Sequence, residues 1–184
     1  MNQKLSALSQ NKAMNLDHRR NLHEVESSRT ADAAERGKFY LHPGQLFVSS
    51  EGHTVTTILG SCVAVCLCDP VAKIGGINHF LLPVFNGEGV TSPRFGDCSI
   101  KELIRQLLAR GCRLPMLQAK IFGGACVLEA FKLRRDHVGA SNVRIAERLL
   151  QTAGIPTSGR DVGGQRGRKL IFHTDTGAAW VKAL

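Results

Sequence analysis

The chain of 184 residues lacks most of what would announce several common functions. It has one Trp and one Tyr, and aromatic residues are 5% of the total. None are interleaved with basic residues as in proteins that stack the bases of single strands, so nucleic acid is not the expected partner. No run of 18 apolar residues occurs, which excludes a transmembrane helix and membrane insertion through one. The first 38 residues contain no apolar core of a secretory signal, so the expected location is the cytoplasm. There is no CxxC pair among the six cysteines Cys62, Cys66, Cys68, Cys98, Cys112 and Cys126. In a cytoplasmic chain these should stay reduced. Cys66-x-Cys68 with Cys62 and His79 lacks zinc-knuckle spacing, and no metal is expected. No internal repeat is visible.

What is present is an ordinary globular composition, 43% hydrophobic and 21% charged, with a net charge of +9. The excess is uneven. Residues 132–184 hold 10 basic and 4 acidic residues, with Arg160, Arg166, Arg168 and Lys169 close together. Such a basic third suits a solvated face or an acidic protein partner. Residues 1–38 are polar and mixed in charge, and read as a disordered or weakly helical tail. Residues 39–184 read as a single domain.

Within that domain, strands are expected at 45–49, 54–59, 62–68, 74–82 and 117–122, and short ones near 155–158, 169–173 and 178–182. Ile100, Leu103, Ile104, Leu107 and Leu108 form one apolar stripe of a helix over 97–111. Asp97 or Ser99 can cap its start, and Gly111 suits its left-handed end. A second helix is expected over 141–153. Strands with two helices set among them favour an α/β sandwich over a regular parallel βαβ fold.

Chemistry can be carried by Gly60-Ser61-Cys62 and by His79. A Gly-Ser pair lets backbone approach a substrate beside a nucleophilic Cys62, although a free Cys also serves as a small buried hydrophobe. His79 is a lone polar residue in an apolar run, where a histidine can equally be a core residue with a satisfied hydrogen bond. If 62–68 and 74–82 form a hairpin pairing Cys68 with Lys73, Cys62 faces His79 directly. A slip of one residue would put them on opposite faces. A Cys–His pair can act as an ion pair with a nucleophilic thiolate. A third group should orient the imidazole, and a hydroxyl or main-chain carbonyl near Thr54, Thr56 and Thr57 is placed for it. Backbone N–H groups around Ser61–Cys62 can form an oxyanion hole. Gly123 and Gly124 either turn the chain or let backbone reach the substrate. Asn142 is either a helix cap or a substrate hydrogen-bond partner, and Arg94 and Asp97 can pair.

The run Thr56–Pro83, TTILGSCVAVCLCDPVAKIGGINHFLLP, resembles the signature of the chemoreceptor glutamine deamidase (CheD) family. Further matching pieces follow in family order: Arg94-Phe95-Gly96-Asp97, Ala119–Ala125, Gly139 with Asn142, Asp161-Val162-Gly163-Gly164, and Arg168-Lys169 before a strand. The resemblance covers about Leu41–Leu184. Phe95 and Cys68 depart from residues common there, and the tail lies outside the pattern.

The resemblance implies a CheD-like α/β sandwich and a protein-glutamine glutaminase without cofactor. Its substrate would be selected glutamines of methyl-accepting chemotaxis receptors, with receptor methyl esters as a second substrate. It implies Cys62 as nucleophile, His79 as acid and base, and Thr56, six residues before the cysteine, as the assisting threonine. Ser61, Gly123, Gly124 and Asn142 are the oxyanion and substrate-binding candidates. A CheC-type phosphatase is an implied partner, and the chain is expected to be a monomer. Two readings from other classes stand beside this one. The first is a non-catalytic binding module for a CheC-type phosphatase. The second, a redox-sensing protein, is disfavoured because Cys66 would lie about 13 Å from Cys62 along a strand.

Overall fold

In the computed structural model, the residues described are 36–87, 89–127 and 137–184. The expected tail lies outside them except for its last residues, where the first strand begins. Among the described residues, nine strands make two sheets. The four-stranded sheet has the order β1 (Gly37–Tyr40), β3 (His53–Leu59), β8 (Arg168–His173), β9 (Ala179–Ala183). The five-stranded sheet has the order β2 (Leu46–Ser49), β5 (Ile74–Asn78), β4 (Val63–Asp69), β6 (Gln118–Gly123), β7 (Thr157–Val162). Helices α1 (Gly96–Ala109) and α2 (Val138–Thr152) pack on the five-stranded sheet. The result is an α/β sandwich with mixed sheets, as the residue pattern led one to expect.

Strand β4 explains the layering. All seven of its residues are buried. An uninterrupted apolar strand is what a sheet covered on both faces requires. Val63, Val65 and Leu67 join Ile100, Leu103, Leu107 and Ala146 in a core under the helices. Ala64, Cys66 and Cys68 join Val55, Leu59, Leu170 and Phe172 in a second core between the sheets. All six cysteines are free. Among the described residues no helix is long and apolar enough to cross a membrane, and no His/Cys/Asp/Glu group could hold a metal ion.

The β4–β5 hairpin forms, in a register two residues from the expected one. Asp69 pairs with Ile74 and Cys66 with Ile77. The turn decides this. Asp69 Oδ1 accepts from the N–H groups of Val71 and Ala72, each at 3.0 Å, and Lys73 takes a positive φ of 55°. That Asx turn consumes residues 70–73, so Lys73 cannot pair with Cys68. Because strand side chains alternate with period two, a two-residue shift changes partners without changing faces.

Local expectations needed smaller corrections. Helix α1 has Phe95 at its N-cap with no side-chain cap. Asp97 instead accepts from the N–H of Phe85 at 3.1 Å and of Cys98 at 2.9 Å, tying down the preceding loop. Helix α2 starts three residues early, capped by His137 Nδ1, which accepts from Ala140 N at 3.2 Å. Asn142 is therefore inside the helix and is not its cap. Gly111 (φ 93°) and Gly154 (φ 69°) take the left-handed positions after each helix. The strand expected at 155–158 runs over Thr157–Val162, whose polar sequence lies at a sheet edge and carries no apolar alternation.

Candidate active site

The segment Gly60-Ser61-Cys62 is where the chain leaves the four-stranded sheet at the end of β3 and enters the five-stranded sheet as β4. Cys62 thus occupies a corner between the sheets and is partly exposed. His79 follows β5 and is 1% exposed. The Val63–Phe80 bridge continues the hairpin register, which sets Cys62 opposite Leu81 and His79 level with Ala64. Cys62 and His79 are therefore diagonal neighbours on one sheet face, not directly opposed. Diagonal side chains on one face remain within mutual reach.

A hydroxyl from the other sheet orients the imidazole. Thr57 Oγ1 lies 2.8 Å from His79 Nδ1 and donates to the carbonyl of Leu41 at 2.8 Å. A hydroxyl has one hydrogen, and a carbonyl cannot donate, so Thr57 must accept from His79. That fixes the tautomer: Nδ1 carries the proton and Nε2 keeps its lone pair. Nε2 is buried and has no partner. A buried nitrogen with a free lone pair in a chain of satisfied groups is an available base.

The threonine is not the expected one. Along β3 the residues Val55, Thr57 and Leu59 are buried, while Ile58 is exposed and Thr56 only partly covered. Thr56 has the opposite parity to Thr57 and faces away from His79. The hydroxyl that meets His79 belongs to Thr57, one residue nearer the cysteine.

Burial dominates the electrostatics. It lowers the pKa of His79 to about 4, although the Leu41 carbonyl pulls the other way. Burial raises the Cys62 thiol above its ordinary value, and the residue's own backbone N–H partly offsets this. Both shifts favour an uncharged thiol and an uncharged imidazole at neutral pH. The ion pair expected from the residue types is not the resting state that this environment favours.

The remaining candidates hold the corner in shape. Gly123 (φ 104°) passes so close to Cys62 that a Cβ there would meet the Cys62 carbonyl oxygen at 2.2 Å. Gly124 N donates to that oxygen at 2.8 Å, and Ala125 N donates to the Gly60 carbonyl at 2.8 Å. The glycine pair thus approaches the Cys62 backbone. Asn142 is fully buried, and its Nδ2 donates to the carbonyls of Ser61 at 3.1 Å and Leu81 at 2.8 Å. It joins the residue before Cys62 to the strand extension that carries His79. With both amide hydrogens used, Asn142 braces the corner. Ser61 contributes its carbonyl to that brace. At the start of β8, the buried guanidinium of Arg168 donates to the carboxylate and carbonyl of Asp161 and to the carbonyl of Gly163. Gly163 N in turn donates to the Gly123 carbonyl at 2.9 Å. Sequence reasoning assigned neither Leu41 nor Arg168 a role here. Only the alternation of β3 could have singled out Thr57.

The family model described as "CheD chemotactic sensory transduction" matches residues 81–183, more than half of the chain. A protein of Anaeromyxobacter dehalogenans named probable chemoreceptor glutamine deamidase CheD 1 is 52% identical over 155 residues, covering 84% of this chain and 90% of its own length. The chain belongs to the CheD family. CheD relatives in Trichlorobacter lovleyi and Sulfurimonas denitrificans, both named probable chemoreceptor glutamine deamidase, are 42% and 40% identical. They match 79% and 80% of this chain and 90% and 95% of their own lengths. The CheD family-model match begins at Leu81, just past Cys62 and His79. The 155-residue match to the Anaeromyxobacter CheD protein is long enough that it must include both. A solved structure, the hypothetical protein YfiH of Bacillus licheniformis, is similar at TM-score 0.44 and 12% identity over 74% of this chain and 67% of that one. A likeness that slight carries nothing about this CheD member.

Proposed function

We propose that this chain hydrolyses glutamine side chains of chemotaxis receptors to glutamate, with Cys62 as nucleophile and His79 as the proton carrier. The observation that carries the reading is the line Leu41 carbonyl, Thr57 hydroxyl, His79 Nδ1–H, which leaves Nε2 free on the sheet face that also bears Cys62. The names of the relatives supply the substrate class.

As Cys62 Sγ bonds to the carboxamide carbon, its proton passes to His79 Nε2. Thr57 stabilises the imidazolium by accepting from Nδ1. The imidazolium gives the proton to the amide nitrogen, the C–N bond breaks, and ammonia leaves a thioester behind. Water then bonds to the acyl carbon while His79 takes its proton. The C–S bond breaks, the proton returns to sulfur, and a carboxylic acid is released, which ionises to glutamate. Backbone N–H groups at the corner are the oxyanion donors in this reading. The reaction needs only water as co-reactant.

The test is mass spectrometry of a receptor cytoplasmic fragment incubated with the wild-type protein and with Cys62→Ala. A gain of about 1 Da at particular glutamines, absent with the variant, is expected, because an amide nitrogen is exchanged for oxygen through the cysteine. Loss of receptor methyl esters in the same spectra would add ester hydrolysis. An unchanged mass on every receptor fragment from the same cell would overturn the reading, and docking of a CheC-type phosphatase would then be measured instead.

A further inference from the structure

The four-stranded sheet has a second face, turned away from the five-stranded sheet, and the register fixes what it carries. Its central row runs Tyr40, Thr56, Ile171, Trp180 across the four strands. The only Tyr and the only Trp of the chain therefore share one row. They are 47% and 51% exposed. On one side lies the row Ile58, Lys169, Lys182, in which Ile58 is 48% exposed. On the other lies the row Lys38, Thr54, His173. None of these ten positions holds a carboxylate. Lys169 and Lys182 are directly opposed on adjacent strands. Like charges in that position weaken a strand pair, and an anionic partner would relieve them.

We propose that this face docks an acidic amphipathic helix of a partner protein. The dimensions choose the occupant. Strands about 4.8 Å apart make the row roughly 14 Å long, and same-face neighbours along a strand put lysines about 7 Å to either side. A helix is about 10–12 Å wide with its side chains. Laid along the row, it covers Tyr40, Ile171 and Trp180 with an apolar stripe and meets Lys38 on one flank and Lys169 and Lys182 on the other. The helix it fits carries carboxylates on both sides of that stripe. The patch, on the order of 200 Å², is far below the roughly 800 Å² per partner of a standard interface, which suits one helix and not a stable dimer. Charge complementarity also disfavours a second copy, which would bring lysines against lysines. The surface is independent of the Cys62 chemistry, whose groups lie on the other side of β3.

Trp180, as the only tryptophan, reports on the patch directly. The probe is an 18-residue helical peptide without aromatic residues, with a leucine stripe flanked on both sides by glutamates. Titration should blue-shift Trp180 emission to saturation and weaken as salt is raised. Lys169→Glu with Lys182→Glu should weaken binding at least tenfold. This double variant keeps like charges opposed, so circular dichroism and Tm should match the wild type. A peptide with lysines in place of the glutamates should leave the emission unchanged. The absence of a saturable shift would overturn the proposal. So would equal binding of the lysine peptide, or binding indifferent to the double variant. A larger shift with anionic vesicles than with the peptide would make the surface membrane-facing. Concentration-dependent dimerisation abolished by the double variant would make it a self-association face, and either result would also overturn the proposal.

Discussion

Along β4, Val63, Val65 and Leu67 pack against the helices, whereas Ala64, Cys66 and Cys68 pack against the four-stranded sheet. The helix side is filled mainly by large aliphatic side chains from α1 and α2 and by Phe80, with Asn78, Ser99 and Asn142 buried beside them. On the sheet side β4 itself presents only small residues, beside a polar line of His79 and Thr57, both 1% exposed. Small side chains at Ala64 and Cys66 leave room between the sheets for an imidazole and a hydroxyl. The difference is one of side-chain size: β4 offers large aliphatic groups to the helices and small ones to the other sheet, where His79 and Thr57 are buried.

The sharpest way to break that comparison is to exchange the expected consequences. His79→Gln should lower deamidation by about 10²–10⁴-fold while the fold persists, since a lost general acid and base has that scale. Leu103→Ala, on the helix side, should cost about 2–5 kcal/mol of stability and leave kcat per folded molecule nearly unchanged. Urea unfolding beside steady-state kinetics reads both, and a His79→Gln protein that unfolds as readily as Leu103→Ala would undo the comparison.

At the corner where the faces meet, stability and activity should fall together. Gly123→Ala adds a Cβ 2.2 Å from the Cys62 carbonyl at a φ of 104°, and a loss of roughly 2–4 kcal/mol is expected in urea melts. Asn142→Leu removes the donor from the Ser61 and Leu81 carbonyls, at about 1–3 kcal/mol if they stay dry. It should also lower kcat more than it changes KM, because the group braces Cys62 and His79 and leaves bulk binding surface untouched.

Within β3 the contrast narrows to adjacent residues. Thr57→Val should reduce kcat/KM about tenfold, the scale of one hydrogen bond to a charged group, and Thr56→Val by less than about twofold. The reverse order would return the assisting role to Thr56.

The smallest effect is in pH. Because burial lowers the His79 pKa to about 4, the acidic limb of kcat/KM should fall near pH 4, below which His79 is protonated and cannot accept from Cys62. Alkylation of Cys62 by iodoacetamide should rise only in the alkaline range, since burial raises the thiol pKa. A plateau of fast alkylation between pH 5 and 7 would indicate a resting ion pair instead.

Much of this was readable in the residues, and the misses have physical causes. The apolar run Val63–Leu67 and the stripe Ile100, Leu103, Leu107 gave β4 and α1 because periodicity reflects burial directly. The strand Gly37–Tyr40 was missed because it is exposed throughout and pairs only at a sheet edge. The hairpin was recognised, but its register depended on the Asp69 Asx turn, a side-chain-to-backbone detail. Asn142 was noticed as a polar residue at a helix start. Its two acceptors are 81 and 61 residues away in sequence, so no local pattern could identify them.

By itself the sequence determined the layered α/β class and the family, and it put Cys62 and His79 on one sheet face. Alternation and motif spacing are properties of a linear chain, and parity kept the two residues on one face whatever even shift the turn imposed. Only the tertiary structure decided which threonine faces the imidazole, which nitrogen of His79 is free, and that Gly123, Gly124 and Asn142 brace the cysteine corner. Those facts depend on two sheets meeting through side chains distant in sequence, and on burial, which sets protonation through the groups that surround a side chain in space.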